Sequence, residues 1–224
     1  MSQEGPSDPL GEMIALVVHD LRNPVATISA NLSFVRDVAG VEDPDALEAL
    51  DDVEIALADL TRGLEQLSWV GRWMGGTPAA DAAPGDVRQS VEQGVRRSGS
   101  DVAIELPDAP IEMRCAGQAL TRLVELLVRN ATSHAKPDSV RVSVSAEGSG
   151  ATIEVRDGGS AVGHDLRPHI FTAEGQQLAK GRIDGRYSRV VGLLAARALA
   201  DAIGAELAAG GEDGAAVFTV RLPG

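Results

Sequence analysis

The chain holds one cysteine, two lysines and very few aromatic side chains. The lone Cys115 cannot form an internal disulfide and suits a reducing compartment. Lys136 and Lys180 apart, every basic residue is an arginine, and 33 acidic against 20 basic residues give a net charge of -13. That balance argues against a nucleic-acid or anionic-membrane partner, which would need a basic face. With three Phe, two Trp and one Tyr, the core has to be built from Leu, Val, Ile and Ala. Long apolar runs are missing too. The most apolar stretch, 190–209, is broken by Arg197, Asp201 and Glu206, so no membrane span is expected. Residues 1–13 are polar and acidic, with no apolar core of a signal peptide, and a cytoplasmic location is expected.

Helical patterning is what the first third has instead. Ile14, Val18, Leu21, Val25, Ile28, Leu32 and Val35 recur at spacings alternating between 4 and 3. This is a heptad seam, the mark of a helix buried along one stripe. Leu50, Val53, Leu57, Leu60, Leu64 and Leu67 repeat it, with Met74 in frame. Between the two seams Gly40 breaks the first helix, and Asp43-Pro44 offers an N-cap and a first-turn proline. The expectation is a loose tail at 1–8 and an antiparallel helical hairpin over 9–76. One hairpin cannot bury both columns of both seams, so a homodimeric four-helix bundle is expected. The acidic run Glu48, Asp51, Asp52, Glu54 and Asp59 reads as a solvated face.

With Val18, Val25 and Leu32 at a, and Leu21, Ile28 and Val35 at d, His19 falls at b, off the seam. Asp20 adjoins it, and Asn23 shares its face one turn on. Pro24 removes a helical hydrogen bond and should bend the helix there. A solvent-facing imidazole is a good nucleophile near neutral pH, and a neighbouring carboxylate can orient the ring and take its proton. The constellation suits attack on phosphorus.

Residues 77–85, small and rich in Gly and Pro, read as a linker. Beyond it, 86–224 mixes helices and strands. Helical patterns cover 87–97, 120–135 and 187–203, and alternating apolar residues mark strands near 102–106, 111–114, 140–144, 153–155, 206–209 and 215–222. The stretch 158–186 reads as a long loop, which inside a domain is usually functional.

The string His19-Asp20-Leu21-Arg22-Asn23-Pro24, followed by Val25 and Ile28, resembles the H-box of sensor histidine kinases. The order of elements after it resembles the Bergerat-type ATP-binding domain of those kinases. The resemblance implies a dimeric all-α hairpin followed by an α+β sandwich. It implies that Asn130, followed by Ala131, supports a nucleotide's Mg²⁺. In Asp157-Gly158-Gly159-Ser160-Ala161 it implies that Asp157 accepts the adenine amino group while Gly159 lets the backbone approach the ring. Ile170-Phe171 stands at the F-box position, and Gly192 is what remains of the glycine stretch that cradles phosphates.

The same comparison shows departures. Leu126 stands where Asn or Glu is usual, with Glu125 about 100° away around the helix. Ser133 replaces a basic residue, Ala161 replaces a glycine, and Ser188 and Val190 replace two more. Arg186 and Arg189 bring charge to that loop but not the glycine cradle. The phosphoacceptor half is kept and the ATP half is degenerate, as in the ATP-independent histidine phosphotransferases that resemble kinases.

That likeness implies a phosphoryl group carried on His19 and exchanged with receiver-domain aspartates of response regulators, with no cofactor of its own because the receiver brings Mg²⁺. Asp20 would orient the ring and Asn23 would position the neighbouring surface or a water. An upstream histidine kinase is a further implied partner. An ATP- and Mg²⁺-dependent autokinase, using Asn130, Asp157, Gly159 and Gly192, is the alternative reading. A non-catalytic dimeric module that sequesters a receiver is the third. No input domain is read ahead of His19, and His134, His164 and His169 show no metal-ligand spacing.

Overall fold

The computed structural model describes residues 9–38, 41–74, 84–114, 117–133, 135–159, 161–172, 174–175, 190–211 and 214–224. The expected tail at 1–8, most of the linker, and Cys115, His134, Ser160, Arg186, Ser188 and Arg189 lie outside them. The chain divides into two compact units, Met1–Gly76 and Thr77–Gly224.

The first unit is a hairpin of α1 (Pro9–Val38) and α2 (Pro44–Met74). Asp43 caps α2, its carboxylate accepting the backbone N–H groups of Asp45 at 2.9 Å and Ala46 at 3.1 Å. Near the open end a Cβ on Gly71 would lie 3.0 Å from the Gly11 carbonyl oxygen and from Ile14 Cγ2, so glycine permits the close approach. Near the turn Arg36 bridges to Asp51 and Glu54 on α2. These contacts fix the antiparallel register.

One column of each seam closes the hairpin. Val18, Val25, Leu57 and Leu64 are buried together, with Ile14, Leu32 and Leu67 packed against them. The other column stays outside: Leu21, Ile28, Val35, Val53 and Leu60 are 38 to 48% exposed.

The second unit runs β1 (Pro84–Asp86), α3 (Val87–Ser98), β2 (Ala103–Glu105), β3 (Glu112–Arg114), α4 (Gly117–Thr132), a 3₁₀ turn at Pro137–Ser139, β4 (Arg141–Glu147), β5 (Gly150–Asp157), α5 (Val190–Ala202), β6 (Glu206–Gly210) and β7 (Ala216–Leu222). The main sheet has the order β2-β4-β5-β7-β6, with β2 parallel to β4 and the other neighbours antiparallel. Ile153 and Val155 lie opposite Val220 and Phe218, so one face carries a continuous apolar row. Against it α4 buries Leu120, Leu123, Val124, Leu127, Val128 and Ala131, and it also packs on α3 and α5.

Among the boundaries that differ from the sequence reading are those of β1 and α4. Strand β1 begins inside the stretch that reads as linker, where it pairs antiparallel with β3. The cause is Asp86, whose Oδ1 accepts the N–H of Arg88 at 3.0 Å as cap of α3 and that of Ile111 at 3.2 Å. Holding both segments lays 84–86 beside 112–114. Helix α4 starts at Gly117 and ends at Thr132, short of Ala135.

Asp86 is also clamped by the Arg88 guanidinium, with Nη2 to Oδ2 at 2.8 Å. Hydrogen bonding from Arg88 outweighs the desolvation of burial and holds this carboxyl below its ordinary value of 3.8. A depressed carboxyl stabilises the fold above its unfolded pKa, and the contribution fades as pH falls through the folded value. Asp86→Asn should therefore cost roughly 1–3 kcal/mol at neutral pH, and progressively less as urea melts are taken further below pH 3.8. A loss that does not shrink as the pH is lowered would refute the assignment.

Helix α3 crosses α4 at Gly94, where a Cβ would lie 2.6 Å from the Thr121 carbonyl oxygen and 2.8 Å from Val124 Cβ. Gly94→Ala should destabilise the second unit by about 1–3 kcal/mol despite its helix propensity, read as a lower melting temperature.

Candidate functional site

His19 sits in mid-α1, between the buried Val18 and the exposed side of the hairpin. Its side chain is 75% exposed and that of Asp20 69%. Nδ1 lies 3.2 Å from Asp20 Oδ1. A carboxylate can only accept, so Nδ1 is the donor in this contact, and in the neutral ring Nε2 is then the unprotonated nitrogen. Asn23 is exposed one turn on, and its carbonyl oxygen accepts the Thr27 hydroxyl at 3.0 Å. Helix α1 runs unbroken through Pro24. The buried column beneath holds this group on a fixed scaffold.

The other predicted residues lie in the second unit. Asn130 stands in the last turn of α4, Asp157 ends β5, Gly159 follows it, and Gly192 lies in the first turn of α5. Because α4 packs on both β5 and α5, these residues belong to adjoining elements. Asp157 is buried, and its Oδ1 accepts the Gly159 N–H at 2.8 Å, which fixes the turn after the strand. The Asn130 amide nitrogen is buried with no hydrogen-bond partner among the described residues. Gly192 is already helical, so it is part of α5 and not of a loop before it.

Leu126 is buried, and no oxygen donor stands one turn before Asn130. Glu125 is no substitute. It is 1% exposed and pairs with Arg122 at 2.6 Å, Arg97 at 3.2 Å and Arg129 at 3.2 Å. This buried knot of α3 and α4 escapes a sequence reading because Arg97 lies on another helix. The i,i+3 and i,i+4 arginines were the available signal. Among the described residues no group of three or more His, Cys, Asp and Glu is arranged for a metal. The buried Asp157 carboxylate is an acceptor at the end of β5, and among the described residues Asn130 has no second oxygen donor one turn earlier on α4, where a Mg²⁺ ion would take oxygen ligands.

Residues 116–224 match the family model described as histidine kinase-, DNA gyrase B- and HSP90-like ATPase. The match covers just under half of the chain. Solved structures agree with the fold. Full-length ShkA in complex with AMPPNP aligns with a TM-score of 0.66 and 20% identity, over 95% of this chain and 45% of that one. The histidine kinase AdeS of Acinetobacter baumannii aligns with a TM-score of 0.55 and 16% identity, over 91% and 96%. Histidine kinase ThkA in complex with response regulator protein TrrA aligns with a TM-score of 0.59 and 16% identity, over 96% and 61%. The chain spans less than half of the ShkA chain it matches. No curated protein matches it. The likeness to these neighbours is one of fold. No helix among the described residues is long and apolar enough to cross a membrane.

Proposed function

We propose that this protein is a histidine phosphotransferase of two-component signalling, carrying a phosphoryl group on His19 and exchanging it with receiver-domain aspartates. The observation that carries the reading is the exposed His19 ring with Nδ1 held against Asp20. Nε2 attacks the phosphorus of an aspartyl phosphate on the receiver. The N–P bond forms as the P–O bond breaks, and the aspartate leaves as a carboxylate. The Nδ1 proton stays against Asp20, which counters the positive charge growing on the ring. Return to a second receiver is the reverse. His19 is the catalytic residue and Asp20 and Asn23 position its face.

Two further features support the proposal. The exposed column of Leu21, Ile28, Val35, Val53 and Leu60 fits a second copy completing a four-helix bundle. The ATPase-type domain keeps its buried core around Leu126 while lacking the second oxygen donor that position usually gives. Complexes of the ThkA kind, kinase with response regulator, fit a receiver as partner. The test is incubation of the full chain with a phosphorylated receiver domain. Acid-labile phosphate should appear on this chain as it leaves the receiver, and retention of all phosphate on the receiver would refute the proposal.

A second reading has its own support. The Asp157–Gly159 turn and the orphaned Asn130 amide suit a nucleotide base and a neighbouring acceptor, and ShkA is the structure with AMPPNP. On that reading the chain is an ATP-dependent histidine kinase with a divergent nucleotide site, and His19 is again the phosphorylated residue.

A further inference from the structure

Residues 161–172, α5 and β6 surround a cavity of about 630 Å³ that none of Asn130, Asp157, Gly159 or Gly192 lines. Three nitrogen-donor side chains face it: His164, Arg167 and Arg197. Among the described residues no acidic group lines it, an exception in a chain of net charge -13. The apolar part of the wall includes Phe171, Leu207 and Ala209. Phe171 stands edge-on to Phe218 with ring centroids 6.1 Å apart, and Leu207 is buried, so that wall is firmly backed.

The two arginines are placed rather than loose. Arg167 donates from Nε to the Val162 carbonyl at 3.0 Å and from Nη2 to the Gly211 carbonyl at 2.8 Å. Both acceptors are neutral, so its charge has no counter-ion in those contacts. Arg197 pairs with Asp201 one turn on at 2.9 Å, but both side chains are about half exposed. Such a pair is weak, and a guanidinium has five donors to share. His164 is exposed at the mouth. The volume lies within the range of small-molecule sites, and an apolar wall with a few convergent polar groups is their usual chemistry.

We propose that this cavity binds a small organic anion, a compact apolar body bearing one carboxylate or phosphate, with Arg197 and His164 taking the charge and Phe171 and Leu207 the body. Its lining includes none of Asn130, Asp157, Gly159 and Gly192, and its ligand would act as an effector of the ATPase-type domain.

Naphthylacetate is a suitable probe, with naphthylacetamide as its uncharged twin. Titrated into the full nitrogen-15-labelled chain, the anion should shift the amide resonances of Arg197, Ala208 and Ala209 saturably. The amide twin should bind about tenfold or more weakly, the loss of one charge-assisted contact. Arg197→Gln with His164→Ala should weaken the anion by a similar factor while leaving the spectrum of the free protein otherwise unchanged. Equal binding of both probes, an unaffected variant, or shifts confined to the exposed apolar column of α1 and α2 would each overturn the proposal.

Discussion

A His19→Gln chain should take up no phosphoryl group from a phosphorylated receiver. Glutamine keeps a polar side chain of similar reach but has no nucleophilic lone pair on nitrogen, so no N–P bond can form. The side chain is 75% exposed and its hydrogen bond is to the neighbouring Asp20, so the fold should be unaffected. Asp20→Asn should retain transfer, slowed on the order of 10²–10⁴-fold. The amide can no longer hold the ring proton on Nδ1 as a charged acceptor, and the tautomer that exposes Nε2 loses its preference. Rates of label transfer, measured at equal receiver concentration, separate the two roles. If the His19→Gln chain were labelled as fast as the wild type, the phosphoacceptor would lie elsewhere. If Asp20→Asn were as fast as the wild type, Asp20 would be a bystander.

The second large effect concerns assembly. The wild type should sediment as a dimer, and Ile28→Glu together with Leu60→Glu should bring it to the 23.2 kDa of one chain. Both side chains are about half exposed and lie outside the buried cluster of the hairpin, so the hairpin should lose less by either change than the bundle does. In a four-helix bundle both would be buried. Each would then lose about 1.5–3 kcal/mol of apolar burial and add an unpaired carboxylate, which costs several more. Replacing the two by alanine should weaken the dimer less. A glutamate variant that stayed dimeric at micromolar concentration would show that the exposed column is not the subunit contact.

How far the sequence could be read follows from the range of each signal. The hairpin was plain because a 3.5-residue repeat persists over many turns, and one column of it is indeed buried. The strands β4, β5 and β7 were plain because alternation is local. Strand β1 was not, since Pro84-Gly85-Asp86 has no apolar alternation and owes its conformation to the cap at Asp86 and the pairing with β3. His19, Asp20 and Asn23 could be placed because a helix face needs only spacing. Glu125 could be excluded as a metal donor from its angle on α4, but the three arginines around it come from two helices. The cationic cavity was hidden for the same reason: His164, Arg167 and Arg197 converge from a turn-rich segment and a later helix.

The most direct test of the account supplies the phosphoryl group by two routes. The purified chain is incubated with γ-labelled ATP and Mg²⁺, and separately with a labelled phospho-receiver without ATP. A thermal melt is recorded at rising ATP, since a ligand of the native state raises the melting temperature. Acid-labile label is expected from the receiver, absent in His19→Gln, and none is expected from ATP. Label from ATP on the wild type, lost in His19→Gln, would contradict this and make the protein an autokinase.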